Sequence, residues 1–136
     1  MTKDNLSPEL YRVIDANLNR LKEGIRVIED IMRYRYNNKI LSKQLKELRH
    51  KARILETKEL LAYRDSINDV LRASSQSELN RSDTTSILTA NFKRGQESAR
   101  VLEELYKLNN IQYSEKFKYI RYELYNLEKE IILNEK

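Results

Sequence analysis

Two stretches of this 136-residue chain carry the same polar residues at the same spacing. Ile14 to Tyr34 reads IDANLNRLKEGIRVIEDIMRY and Leu88 to Leu108 reads LTANFKRGQESARVLEELYKL, 74 positions apart and without a gap. Ala16, Asn17, Arg20, Glu23, Arg26, Val27 and Glu29 recur as Ala90, Asn91, Arg94, Glu97, Arg100, Val101 and Glu103. A repeat kept only for packing would share its apolar positions and let its polar ones drift. At roughly 100° per residue, Asn17, Arg20, Glu23 and Gly24 fall on one side of a helix, flanking an Ile14/Leu21/Ile25/Ile28 stripe. Asn91, Arg94, Glu97 and Ser98 do the same on theirs. Arginine presents a planar fork of donors matched to phosphate or carboxylate. Two such sets beside apolar seams point to an anion-binding cavity between two related helices. The competing reading is a structural network with Arg20–Glu23 and Arg94–Glu97 ion pairs at i,i+3, each worth about 0.3 kcal/mol. The cavity is the stronger of the two, because Arg and Asn beside an apolar seam cost desolvation unless something offsets it.

Other positions could join such a site. Leu48-Arg49-His50 lies on a helix, where a lone His is more often packed than reactive. Arg64-Asp65 and Asp69-Val70 fall in an irregular stretch. Aspartates there form turns; two of them four residues apart beside an Arg could equally hold Mg²⁺ against phosphate oxygens. Arg81 precedes a helix whose N-terminus already favours anions.

The elements that position these residues follow from apolar periodicity. Ser7-Pro8-Glu9 opens a helix, with Ser as cap, Pro at the first turn and Glu at the positive end. Its stripe runs to about Tyr36, before Asn37-Asn38. A second helix is expected over 39–62, with Ile40, Leu41, Leu45, Leu48, Ala52 and Leu55 inward. Ser, Asn and Asp then accumulate over 63–83, with a short helical turn near Glu78. A third helix starts at Asp83 or Thr84 and reaches Leu108, and Ser114 is expected to cap a fourth. The fold predicted is all-α: one domain over 1–136, an antiparallel bundle of about four main helices with an internal repeat (14–34 and 88–108) and an irregular connection around 63–83. A connection of that length is usually functional or disordered.

Composition agrees. Two glycines 71 positions apart, one proline and no cysteine leave no Walker loop, dinucleotide fingerprint or turn-rich β architecture, and a single His leaves no clustered zinc ligands. The net charge of +5 comes from interleaved signs, so neither a polybasic tail nor a nucleic-acid face is expected. No apolar leader or long apolar run is visible, which predicts a cytoplasmic protein with no membrane contact. Tyr113, Tyr119, Tyr122 and Tyr125 suit packing or a homo-oligomer surface.

The ordered blocks resemble a known family. Arg12-Val13-Ile14-Asp15-Ala16-Asn17, Arg20, Glu23-Gly24, Leu48-Arg49-His50, Arg64-Asp65, Asp69-Val70 and Ala90-Asn91-Phe92-Lys93-Arg94 are similar to the small helical monofunctional hydroxymethylpyrimidine-phosphate kinases, found alone or fused ahead of thiamine-phosphate synthase. The resemblance covers about residues 11–108. It implies ATP-dependent phosphorylation of 4-amino-5-hydroxymethyl-2-methylpyrimidine phosphate to its diphosphate, with ATP and Mg²⁺ as cofactors and thiamine-phosphate synthase as a partner. Within that reading, Arg20 and Arg94 clamp the substrate phosphate and the transferred group. Asp65 and Asp69 hold Mg²⁺, and Arg64, Arg49 and Arg81 neutralise nucleotide phosphates. Asn17 and Asn91 read the pyrimidine or phosphate oxygens, Glu23 and Glu97 orient the arginines, and His50 lies beside the substrate. The alternatives are a non-catalytic helical regulator of thiamine-phosphate synthase and, more remotely, an all-helical chorismate mutase. A histidine phosphotransfer bundle is disfavoured because Ala52-Arg53 supply no glycine after His50.

Overall fold

The computed structural model describes residues 6–55 and 57–134. The helices are α1 (Pro8–Asp30), α2 (Lys39–Lys51), α3 (Thr57–Tyr63), α4 (Gln76–Leu79), α5 (Thr84–Tyr106) and α6 (Ile111–Asn134). A π-helical turn, Ile31–Arg35, extends α1. No strand occurs among the described residues, and no helix there is long and apolar enough to cross a membrane. The all-α class read from the periodicity holds.

Capping chemistry sets most of the helix starts. The Ser7 hydroxyl accepts from Leu10 N with Pro8 following, and Asn38 Oδ1 accepts from Leu41 N. Asp83 Oδ1 accepts from both the backbone N–H and the hydroxyl of Ser86, which holds its carboxyl below the usual carboxylate range. Asn110 Oδ1 accepts from Tyr113 N, so α6 begins at Ile111. The expected cap, Ser114, instead lies inside α6, buried, and donates its hydroxyl to the Glu103 carbonyl. The short helix near Glu78 is α4.

The second helix is shorter than its periodicity predicts. α2 stops at Lys51, and α3 is a separate piece. Its last turn tightens, with Ala52 N donating to Arg49 O and Arg53 N to His50 O. Long-range contacts then hold the chain off the helical path: Lys116 Nζ donates to Arg53 O, and Leu55 N to the Tyr113 hydroxyl. As a result Leu55 is exposed, and Ile40 is exposed as well, whereas both were expected inside.

The bundle is four-sided. α1 packs on α2 and α5, and α6 packs on α5 and α2. Ile14, Leu21, Ile25 and Ile28 of α1 meet Phe92 and Leu102 of α5 and Phe117, Ile120 and Leu124 of α6 in a fully buried core. α1 and α5 run antiparallel, since Gly24 faces Asn91 and Gly95 while Asn17 and Arg20 share a cleft with Ser98. A Cβ on Gly24 would lie 3.1 Å from the Asn91 carbonyl oxygen and 3.6 Å from Gly95 N. The missing side chain at Gly24 therefore lets the two repeat helices touch backbone to backbone.

The repeat is larger than one helix. Beyond α1 and α5, Asn38, Ser42, Lys46 and Arg49 recur as Asn110, Ser114, Lys118 and Arg121, now 72 positions apart. The structural unit is a helix hairpin, α1–α2 and α5–α6, related by a pseudo-twofold axis. The two surplus residues of the first hairpin fall in its connection, where the π-helical turn and a left-handed Asn37 (φ 50°) take up the extra chain.

Candidate functional site

α1 supplies one wall of two adjoining clefts, and Asn17 and Arg20 border both. The first cleft, of about 550 Å³, lies between α1 and residues 64–70. Its α1 side carries Arg12, Val13, Asp15, Ala16 and Asn19, and its far wall Arg64, Asp65, Asn68, Asp69 and Val70. The second, of about 410 Å³, lies over the α1–α5 seam and adds Arg81, Lys93, Arg94, Glu97 and Ser98.

The second cleft is electropositive. Arg20, Arg81, Lys93 and Arg94 border it, Lys93 lying 3.8 Å from Glu128, and among its described lining residues Glu97 is the only acid. Neither Arg20 nor Arg94 makes an ion pair or hydrogen bond among the described residues, so the Arg20–Glu23 and Arg94–Glu97 pairs do not form. The carboxylates expected to orient the arginines do not do so, and Glu23 lies on the exposed surface outside both clefts. Elsewhere Arg49, Arg64 and Arg121 are each bound to a carboxylate. Two unspent guanidinium groups from equivalent positions of the two hairpins thus meet in one cleft, a geometry suited to a multiply charged anion.

The asparagines are partly committed. Asn17 Nδ2 donates to Val13 O and Asn91 Nδ2 to Ile87 O, matching bonds that obey the pseudo-twofold axis. Asn17 nevertheless borders both clefts, whereas Asn91 borders neither and presents its backbone carbonyl to Gly24.

Arg64 is not a free cation. Its Nε and Nη2 donate to Asp15 at 2.7 Å each, a bidentate clasp that raises the arginine's pKa through those hydrogen bonds and the facing charge. Asp15 is buried and also accepts from Asn19 Nδ2. Asp65 is held below the usual carboxylate range chiefly by hydrogen bonds from the Asn68 amide and backbone N–H. Asp69 Oδ1 accepts from Leu71 N, and its second oxygen makes no hydrogen bond among the described residues. Both aspartates border the first cleft. Carboxylate oxygens are the kind of ligand magnesium takes, one or two of them completed by phosphate and water oxygens. No group of three or more such side chains is gathered among the described residues.

Arg49 and His50 stand apart from both clefts. Arg49 donates to Glu29, a carboxylate almost fully buried, at 2.7 and 3.2 Å. Arg121 makes the equivalent bonds to Glu103 from α6. Arg49, expected at the nucleotide phosphates, is instead bound to Glu29 within the hairpin and borders neither cleft. Half-buried His50 has its pKa lowered by burial and then by Arg53, Arg49 and Lys46. The Asp15–Arg64 clasp and the Glu103–Arg121 pair were not read from the sequence. The recurrence of Arg49 as Arg121 would have signalled the latter.

An all-helical domain of two symmetry-related hairpins, with a cationic cleft at their seam, is the class that this architecture defines. The chain belongs to the ThiD2 family, whose model matches residues 12–130. It is 41% identical over 136 residues to a thiamine-phosphate synthase of Thermosynechococcus vestitus, covering 96% of this chain and 39% of that protein. It is 37% identical to one of Nostoc punctiforme (96% and 37%) and 32% identical to one of Rhodopirellula baltica (93% and 35%). The chain therefore spans less than two-fifths of the length of these relatives. No solved structure matches it.

Proposed function

We propose that the chain acts in thiamine biosynthesis by transferring the γ-phosphoryl group of ATP to 4-amino-5-hydroxymethyl-2-methylpyrimidine phosphate, giving the pyrimidine diphosphate and ADP. The observation that carries this reading is the meeting in one cleft of Arg81 with Arg20 and Arg94, which pair with no carboxylate among the described residues. The membership of the family and the relatives named thiamine-phosphate synthase support the pathway.

The chemistry asks little of the protein beyond charge and alignment. The acceptor is a phosphate monoester, largely dianionic at neutral pH because its second pKa is about 6. One of its oxygens attacks the γ-phosphorus, the bond from that phosphorus to the ADP oxygen breaks, and no general base is required. Two anions must instead be brought into line and their mutual repulsion offset. Arg20, on the wall common to both clefts, is suited to the acceptor phosphate, and Arg94 and Arg81 to the donor. Asp65 and Asp69, on the wall of the first cleft, are the residues that would hold a magnesium ion, which would offset charge on the acceptor phosphate. The diphosphate is the class of product that a thiamine-phosphate synthase consumes, which makes that enzyme the proposed partner.

The test is ADP release by the purified chain with ATP, Mg²⁺ and the pyrimidine monophosphate. Release that depends on the acceptor is expected. Absence of acceptor-dependent release, together with stable binding to thiamine-phosphate synthase, would establish the non-catalytic regulator instead.

A further inference from the structure

The two clefts differ in a way the pseudo-twofold axis does not require. Asp15 and its equivalent, Thr89, occupy the same position of α1 and α5. Among the described residues Asp15 is clasped from outside its hairpin, by Arg64 through two 2.7 Å bonds, and Thr89 is not. That clasp draws the 64–70 segment against α1 and so creates the first cleft, which has no counterpart on the α5 side among the described clefts. Asp15 is thus the point where a symmetric scaffold is made asymmetric.

The first cleft is also chemically unlike the second. Its charges nearly cancel, with Arg12, Arg20 and Arg64 against Glu9, Asp15, Asp65 and Asp69. Val13, Ala16 and Val70 give it apolar surface, and Asn17, Asn19 and Asn68 give it amides that can both donate and accept. This suits an uncharged, flat heterocycle with exocyclic amino and ring-nitrogen groups, and suits a polyphosphate poorly.

On the basis of the function proposed above, we propose that the first cleft receives the aminopyrimidine ring of the acceptor and that Asp15 is a positioning residue, acting through Arg64 to hold the cleft's outer wall. Arg20, bordering both clefts, then receives the acceptor's phosphate at their junction. The donor polyphosphate lies in the second cleft. The acceptor subsite therefore depends on the clasp and the nucleotide subsite does not.

The experiment compares the wild-type chain with Asp15→Asn, Arg64→Gln and the double variant by calorimetric titration with the pyrimidine monophosphate and, separately, with ATP in the absence of Mg²⁺. Trypsin cleavage after exposed Arg72 reports whether the wall has loosened. Arg64→Gln changes a residue at the surface, so it tests the clasp even where Asp15→Asn impairs folding. Expected are a tenfold or greater loss of pyrimidine affinity in each variant, ATP affinity within twofold of wild type, faster cleavage after Arg72, and a double variant no worse than either single. Unchanged pyrimidine affinity, equal weakening of both ligands, or additive effects in the double variant would each overturn the assignment. Pyrimidine binding that follows the clasp without phosphoryl transfer would instead remove the proposed activity while the assignment stands.

Discussion

Arg94→Ala is expected to lower kcat/KM for phosphoryl transfer about a hundredfold, and Arg20→Ala by a similar factor. A hundredfold corresponds to about 2.7 kcal/mol of transition-state stabilisation. That magnitude suits a charge-assisted, forked contact to a phosphoryl oxygen and exceeds what an exposed cation contributes through screened attraction. Both side chains are exposed and neither pairs with a carboxylate among the described residues, so their removal should leave thermal stability nearly unchanged. Because the two arginines border one cleft, the double variant should lose less than the product of the single losses. Steady-state kinetics on variants shown to be folded by circular dichroism checks this. Turnover within threefold of wild type in both single variants would remove them from the site.

Glu103→Ala should be among the most destabilising polar changes in the second hairpin. Its carboxylate is almost fully buried and accepts from Arg121 Nε at 3.0 Å and lies 2.9 Å from Nη2, with Arg121 itself 11% exposed. Removing Glu103 leaves that guanidinium desolvated beside the Tyr122 and Tyr125 rings without an anion. Breaking a buried pair from one side costs about 3–5 kcal/mol, a large part of the 5–15 kcal/mol that holds a domain of this size together. The expected fall in Tm is about 10 °C or more. Glu29→Ala should follow the same course through Arg49, and less steeply because that guanidinium keeps more solvent. Replacing both Glu103 and Arg121 with leucine and methionine should recover much of the loss, since the penalty arises from the orphaned charge. A Tm within 2 °C of wild type for Glu103→Ala would contradict this account of the hairpins.

These two experiments divide the repeat by role. Arg20 and Arg94 are its unspent charges, and Glu29 and Glu103 its spent ones. The shared polar identities of the two stretches were legible in the sequence, as were the helix class, the cap at Ser7 and the start of the third long helix at Asp83 or Thr84. The division of labour was not, because i,i+3 spacing on a helix permits Arg20–Glu23 and Arg94–Glu97 pairs that the folded chain does not form. Glu29 and Glu103 find partners on the next helix instead, and an ungapped alignment ends before reaching them. The shift from 74 to 72 positions hides the second half of each hairpin until the π-helical turn is seen to absorb two residues.

The other differences have the same origin in tertiary contacts. Nothing local ends α2 at Lys51, since Ala52-Arg53-Ile54 contains neither Gly nor Pro. The chain departs there because Lys116 and Tyr113, some sixty residues away, hydrogen-bond its backbone. Asn110 and Ser114 are both good capping types one turn apart, and packing of Ser114 against the Glu103 carbonyl decides in favour of Asn110. Arg64 looked like a phosphate ligand because an arginine in a polar loop ordinarily is free. Asp15, which binds it, faces the loop across 49 positions of sequence.

The proposed function places phosphate where the two hairpins meet. A crystal structure of the chain with a non-hydrolysable ATP analogue and the pyrimidine monophosphate tests it most directly. Phosphate groups are expected between Arg20 and Arg94, with the terminal analogue phosphate facing the acceptor. A second basic hollow of about 590 Å³, bordered by Arg33, Lys39, Lys43 and Lys46, provides the contrasting result. Nucleotide seated there, with the Arg20–Arg94 seam empty, would rule out the proposed phosphate site.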